Sequence, residues 1–161
     1  MVTTDGVVDD GRHRTDLVFW SALAGLLAGA AFGILVQFSL QRMTAIGAMY
    51  TLGDPSLGVG WVGHLVHSVV FGTLFGVVVD RPPFRDRVST YHGSLGLAVL
   101  YSVLLWSVNV VFLWPLWLNQ LGVGTELPLP NLAVVPLVGH VVYGTLLGLG
   151  IAVMVRISDG R

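Results

Sequence analysis

Four runs of apolar residues, each long enough to cross a lipid bilayer, leave this chain few folds to choose from. They occupy residues 17–38, 60–79, 93–116 and 134–155 of a chain of 161. At about 1.5 Å of rise per helical residue, some 20 residues span the ~30 Å hydrocarbon core. Lipid offers no partner for a free N–H or C=O, so such runs cross as helices with every backbone bond made internally. The expectation is an all-α membrane protein with four transmembrane helices.

Composition agrees with that reading: 54% of positions are hydrophobic and 11% charged. The net charge of −1 and scattered arginines give no basic footprint for nucleic acid. With no cysteine, disulfides, iron-sulfur clusters and thiolate metal sites are excluded. Residues 1–16 are polar and lack an apolar period, so they read as a flexible cytoplasmic tail ahead of a transmembrane domain over 17–156, with 157–161 a short C-terminal tail. Between the first two runs, Leu40, Met43, Ile46 and Tyr50 recur at roughly helical spacing, which predicts an interfacial half-helix. Asp54 and Pro55 then supply turn chemistry. Pro82 and Pro83 close the second span in a charged hairpin, and Pro115 is expected to end or kink the third.

Two spans carry one signature. With His64 placed on His140, Ser68 falls on Gly144, Gly72 on Gly148 and Gly76 on Ala152, so both segments read His-xxx-small-xxx-small-xxx-small. Residues four apart share a helix face. Gly25, Gly29 and Gly33 form a doubled GxxxG in the first span, a surface on which another backbone can approach closely. Gly25, Gly29, Gly33, Ser68, Gly72, Gly76, Gly144 and Gly148 are therefore the expected helix-packing residues, and Asn109 the expected polar bond between helices. The echo predicts two tandem two-helix repeats, about 17–80 and 93–156, related by a pseudo-two-fold axis along the membrane normal. The His-bearing stripes are expected to face one another across that axis.

The Gly-rich first span, Ile46-Gly47, the run Gly60-Trp61-Val62-Gly63-His64 with Phe71-Gly72, and Gly139-His140 with Tyr143-Gly144 resemble an uncharacterised family of small four-span prokaryotic membrane proteins. The resemblance covers about residues 17–155 and implies architecture alone, since that family has no established activity to carry over.

Arginine placement predicts orientation. With four spans, Arg12, Arg14, Arg81, Arg85, Arg87, Arg156 and Arg161 lie on one side and Arg42 on the other, which puts both termini in the cytoplasm of a multi-pass cell-membrane protein. Ionisable residues inside a span are candidate functional sites. His64 and His140 are the candidate cofactor ligands, with His67 and Tyr143 one turn further in; haem b, which needs only two axial ligands, is the cofactor they fit best. Against this stands plain packing, in which imidazoles hydrogen-bond across the bundle. No carboxylate lies within a span, so no metal site and no catalytic residue is expected. Nucleotide, hydrolase and metalloprotease motifs are absent from the sequence. The expected function is a non-enzymatic structural or partner-docking component of the bilayer, self-associating or joined to another membrane protein through its glycine faces. A haem- or metal-binding electron-transfer subunit and a small oligomeric transporter are the alternatives.

Overall fold

A computed structural model describes residues 4–124 and 126–158, with side chains described over 16–124 and 126–157. Helix α1 runs Thr4–Phe38, α2 Met43–Ala48, α3 Leu57–Val79, α4 Phe84–Val88 and α5 Tyr91–Val108. A π-helical turn, Asn109–Leu113, carries α5 into α6, Trp114–Leu121, and α7 spans Val134–Ser158. Among the described residues four stretches are long and apolar enough to cross a membrane: Asp16–Phe38, Leu57–Val79, Tyr91–Leu121 and Val134–Ile157. The protein is an all-α, four-span helical bundle embedded in lipid. The helix of the first span begins upstream of the apolar run, at Thr4, within the segment read from sequence as a tail; residues 1–3 and 159–161 lie outside the described residues.

Helix boundaries follow local chemistry. Ser56 caps α3 by accepting from Val59 N–H at 3.4 Å, and Thr90 caps α5 by accepting from Gly93 N–H at 3.1 Å. Gly122, at φ 66, ends α6 in the left-handed conformation that glycine adopts without a side-chain clash. The first span ends on a residue less suited to that geometry. Gln41 sits at φ 53, and the Arg42 N–H turns back to Val36 O at 3.0 Å.

Pro115 neither ends nor breaks the third span. A proline inside a helix leaves the carbonyl four residues earlier without a donor and crowds it with its ring. The wider π turn over Asn109–Leu113 opens the spiral just upstream, and the carbonyl in question, Val111 O, accepts instead from Asn131 N–H at 2.9 Å. The third span thus runs on to Leu121, five residues past the expected Leu116.

The helices pack in pairs. α1 lies along α3, α5 lies along α7, and α1 also lies against α7, so the order around the bundle is α3, α1, α7, α5. Each repeat is a two-helix unit whose members are sequence neighbours, as short connections favour. The fourth side, α3 against α5, is bridged by side chains: Tyr101 O–H donates to Phe71 O at 2.9 Å, and the Tyr101 and Phe75 rings meet at 5.2 Å. Phe32, Phe75, Tyr143, Leu147 and Ile151 fill the centre. At the end that carries α4, Arg156 lies over the Tyr91 ring at 5.5 Å.

Candidate functional site: two histidines on one phenylalanine

The glycine stripes are consumed inside each repeat. A methyl added to Gly25 would stand 2.6 Å from Ser68 O and 2.8 Å from the Gly72 Cα; one added to Gly29 would collide with the Ser68 hydroxymethyl, and one on Gly33 with the Trp61 ring. On the other side of that seam, Gly72 has no room because of the Ser21 carbonyl, and Gly76 would place a methyl 2.8 Å from Ser21 Cβ. In the second repeat, Gly144 abuts Ser102 and the Ala98 carbonyl, and Gly148 abuts Leu95 and the Ser94 carbonyl. The α3 stripe therefore faces α1 and the α7 stripe faces α5. This corrects the expectation that the two stripes face one another, and it removes these glycines as an outward docking surface. The cause is steric: the closest backbone approach is available only between helices that both carry small residues, and each stripe finds such a face on the first helix of its own repeat.

Contacts set the repeat register more sharply than identity does. Ser21 and Ser94 hold corresponding places under Gly72 and Gly148, and Gly29 and Ser102 correspond opposite Ser68 and Gly144. First helices are thus offset by 73 positions and second helices by 76. Under the 73-residue offset, the break after Phe38 falls on the π turn, and α2 falls on the last six residues of α6. One repeat breaks its first helix where the other widens it.

The two candidate histidines do meet, through a third residue. Phe32 of α1 lies edge-on to both rings, with centroids 5.6 Å from His64 and 5.0 Å from His140, and it rests on α7 at Gly139, where a methyl would strike the ring. His64 is buried and its Nε2–H donates to Gly29 O at 2.9 Å. Half-buried His140 donates from Nδ1–H to Pro136 O, 2.8 Å away, one turn back on its own helix. A carbonyl can only accept, so each bonded nitrogen carries a proton, and as neutral imidazoles the two rings are opposite tautomers. In that form the lone pair is on Nδ1 of His64 and on Nε2 of His140.

His67 and Tyr143 part company. His67 turns to the segment just after α2, where a 2.6 Å hydrogen bond joins its Nε2 to Tyr50 Oη, and its ring stacks on Phe71 with centroids 5.7 Å apart. Partial burial of Tyr50, which lies outside the spans, pushes its phenol above the ordinary 10.0. Tyr143 instead points into the core and donates to Ser68 O at 3.1 Å. Asn109 does not bond across the bundle as expected: its Nδ2 donates to Leu105 O of its own helix at 2.9 Å, which ties the side chain back at the start of the π turn.

The geometry fits haem poorly. Nε2 of His64, the less hindered ring nitrogen, is bonded to Gly29 O, and the Phe32 ring occupies the position between the helices that a macrocycle would need. No group of three or more His, Cys, Asp or Glu side chains is placed to hold a metal ion among the described residues. Sequence reasoning passed over Phe32, Ser94, Ser102 and Tyr101, although Ser94, Ala98 and Ser102 repeat at the same four-residue spacing as the glycines. Comparison with protein-family models, with curated proteins and with solved structures finds no match.

Proposed function

We propose that this protein is a non-enzymatic structural component of the membrane that assembles with a second copy or with another membrane protein. The supporting observation is where the intramembrane polar groups are engaged. His64, Ser94, Tyr101 and Tyr143 each donate to a backbone carbonyl on a different helix, respectively Gly29, Gly148, Phe71 and Ser68. Side chains of the types that commonly serve ligands here join the four spans to one another. The least buried span, Tyr91–Leu121, is the face this reading offers to a neighbour. Both termini lie in the cytoplasm under this reading, and the resemblance to small four-span prokaryotic membrane proteins is in keeping with it.

An electron-transfer role is the second reading: His64 and His140 lie close to one another in the bundle, but Phe32 stands between them and a macrocycle would have to displace it. The absorption spectrum of protein purified from its native membrane separates the two. The structural reading expects no Soret band; a Soret band that disappears in His64→Ala and His140→Ala overturns it. The third reading, a small oligomeric transporter, requires solute flux in proteoliposomes above that of empty vesicles.

A further inference from the structure

At the end of the bundle opposite the Arg81 to Arg87 hairpin, a hollow of 250 Å³ opens between α2 and α6. Its polar lining is Gln41, Arg42 and Thr44; its apolar lining is Ala45, Pro55, Leu118, Val123 and Leu127, with Gly124 between. This volume lies below the ~300–1,000 Å³ of pockets that take drug-sized ligands. It suits a headgroup and the start of an attached chain. We propose that this hollow binds the headgroup of an anionic phospholipid, with the Arg42 guanidinium on the phosphodiester and the first part of an acyl chain along Leu118, Val123 and Leu127.

Three features of the site argue for this occupant. First, Arg42 is the one arginine of the described residues at this end of the bundle, and no ion pair to it is formed among them. The carboxylates nearby in sequence, Asp54 and Glu126, adjoin the lining residues Pro55 and Leu127 but do not line the hollow. Second, the backbone that carries Arg42 at the rim of the hollow is a fixed turn. Arg42 N–H is bonded to Val36 O, and Gln41 before it is held at φ 53, a conformation that side-chain-bearing residues adopt only when their surroundings impose it. Third, the hollow pairs a polar edge with an apolar wall. That is the division between headgroup and chain found at the bilayer interface, and a planar guanidinium matches phosphate oxygens in a two-point contact.

The test is titration of the full, detergent-purified chain with phosphatidylglycerol, read as bound lipid by native mass spectrometry, with phosphatidylcholine and inorganic phosphate as the other two probes. An arginine at the membrane surface contributes about five-fold in affinity for anionic lipid. Phosphatidylglycerol should therefore bind Arg42→Gln about five-fold more weakly than wild type, and Arg87→Gln, at the opposite end, as tightly as wild type. Ala45→Phe leaves the guanidinium in place and fills the hollow, so it should weaken binding as well; it decides the question if Arg42→Gln is not recovered folded. Equal affinity in wild type, Arg42→Gln and Ala45→Phe overturns the proposal, as does an equal loss in Arg87→Gln. Saturable, Arg42-dependent binding of inorganic phosphate alone assigns the site to a free anion and overturns the lipid. Phosphatidylcholine binding as tightly as phosphatidylglycerol removes the charge from the recognition and overturns it too.

Discussion

Gly29 and Ser68 meet across the α1–α3 seam so closely that a methyl on Gly29 would overlap the Ser68 hydroxymethyl. At the corresponding place in the second repeat the pair is reversed, with Ser102 on the first helix and Gly144 on the second. The volume at the seam is kept while its owner changes. Overpacking at such a contact costs roughly 1–3 kcal/mol. Gly29→Ser alone should destabilise the protein by about that amount in detergent unfolding, and Gly29→Ser combined with Ser68→Gly should recover most of it, because the double variant copies the second repeat. A double variant no more stable than Gly29→Ser would show that the seam is not the constraint.

Hydrogen bonds inside the bundle should matter less than these steric contacts. Interhelical bonds in membrane proteins average ~0.6 kcal/mol, with a maximum near ~1.7. Tyr143→Phe removes the donor to Ser68 O, and His64→Leu the donor to Gly29 O. Each should lower unfolding stability by about 0.6 kcal/mol, and at most by ~1.7, leaving a folded protein. Collapse of His64→Leu to an unfolded state would instead point to a bound group that the imidazole holds.

Pro115 and Asn131 are coupled through the carbonyl they share as a problem. Restoring an N–H at 115 with Pro115→Ala supplies Val111 O with a donor from its own helix, in competition with Asn131 N–H. The expected result is a fall of roughly ten-fold in hydrogen-exchange protection of the Asn131 amide, equivalent to ~1.4 kcal/mol for a weakened loop contact. Unchanged protection would mean that the loop is anchored by other contacts, among them the two bonds between Asn119 and Leu127.

A tyrosine whose folded-state pKa is raised is harder to ionise in place than in the unfolded chain. The contribution is fully present below the unfolded value of 10.0 and is lost as pH rises through the folded one. Difference absorbance between wild type and Tyr50→Phe should show one phenol titrating above pH 10, and the Tyr50 to His67 contact opening with it. A phenol titrating at or below the ordinary value would contradict the partial burial of Tyr50 in the turn after α2.

The four spans, the two-helix repeats and the α2 half-helix were legible in the sequence, because lipid demands long apolar runs and close helix packing demands small residues at fixed spacing. Seating each stripe against its own repeat was not legible. An alignment rewards identity, and identity put His64 on His140 but could not reveal that Gly29 answers to Ser102, where the residue type changes and the packed volume is preserved. The π turn was hidden for a related reason: Pro115 advertises a missing donor, while its remedy, Asn131 N–H, lies sixteen positions away across a loop. Phe32 carries no chemical label at all. Only its place between two histidines from different repeats makes it matter.

The reversed glycine and serine pairs also bear on assembly. A polypeptide that inserts two like hairpins one after the other runs the risk that a rod from the first clasps a rod from the second. Were α3 to lie down on α5 in the register of its own seam, two hydroxymethyls, Ser68 and Ser102, would compete for one space; were α7 to take α1, Gly144 and Gly29 would face each other over a gap. Each hairpin is thus keyed to close on itself, and faithful pairing is written into which rod of the duplicate carries the tooth and which the notch.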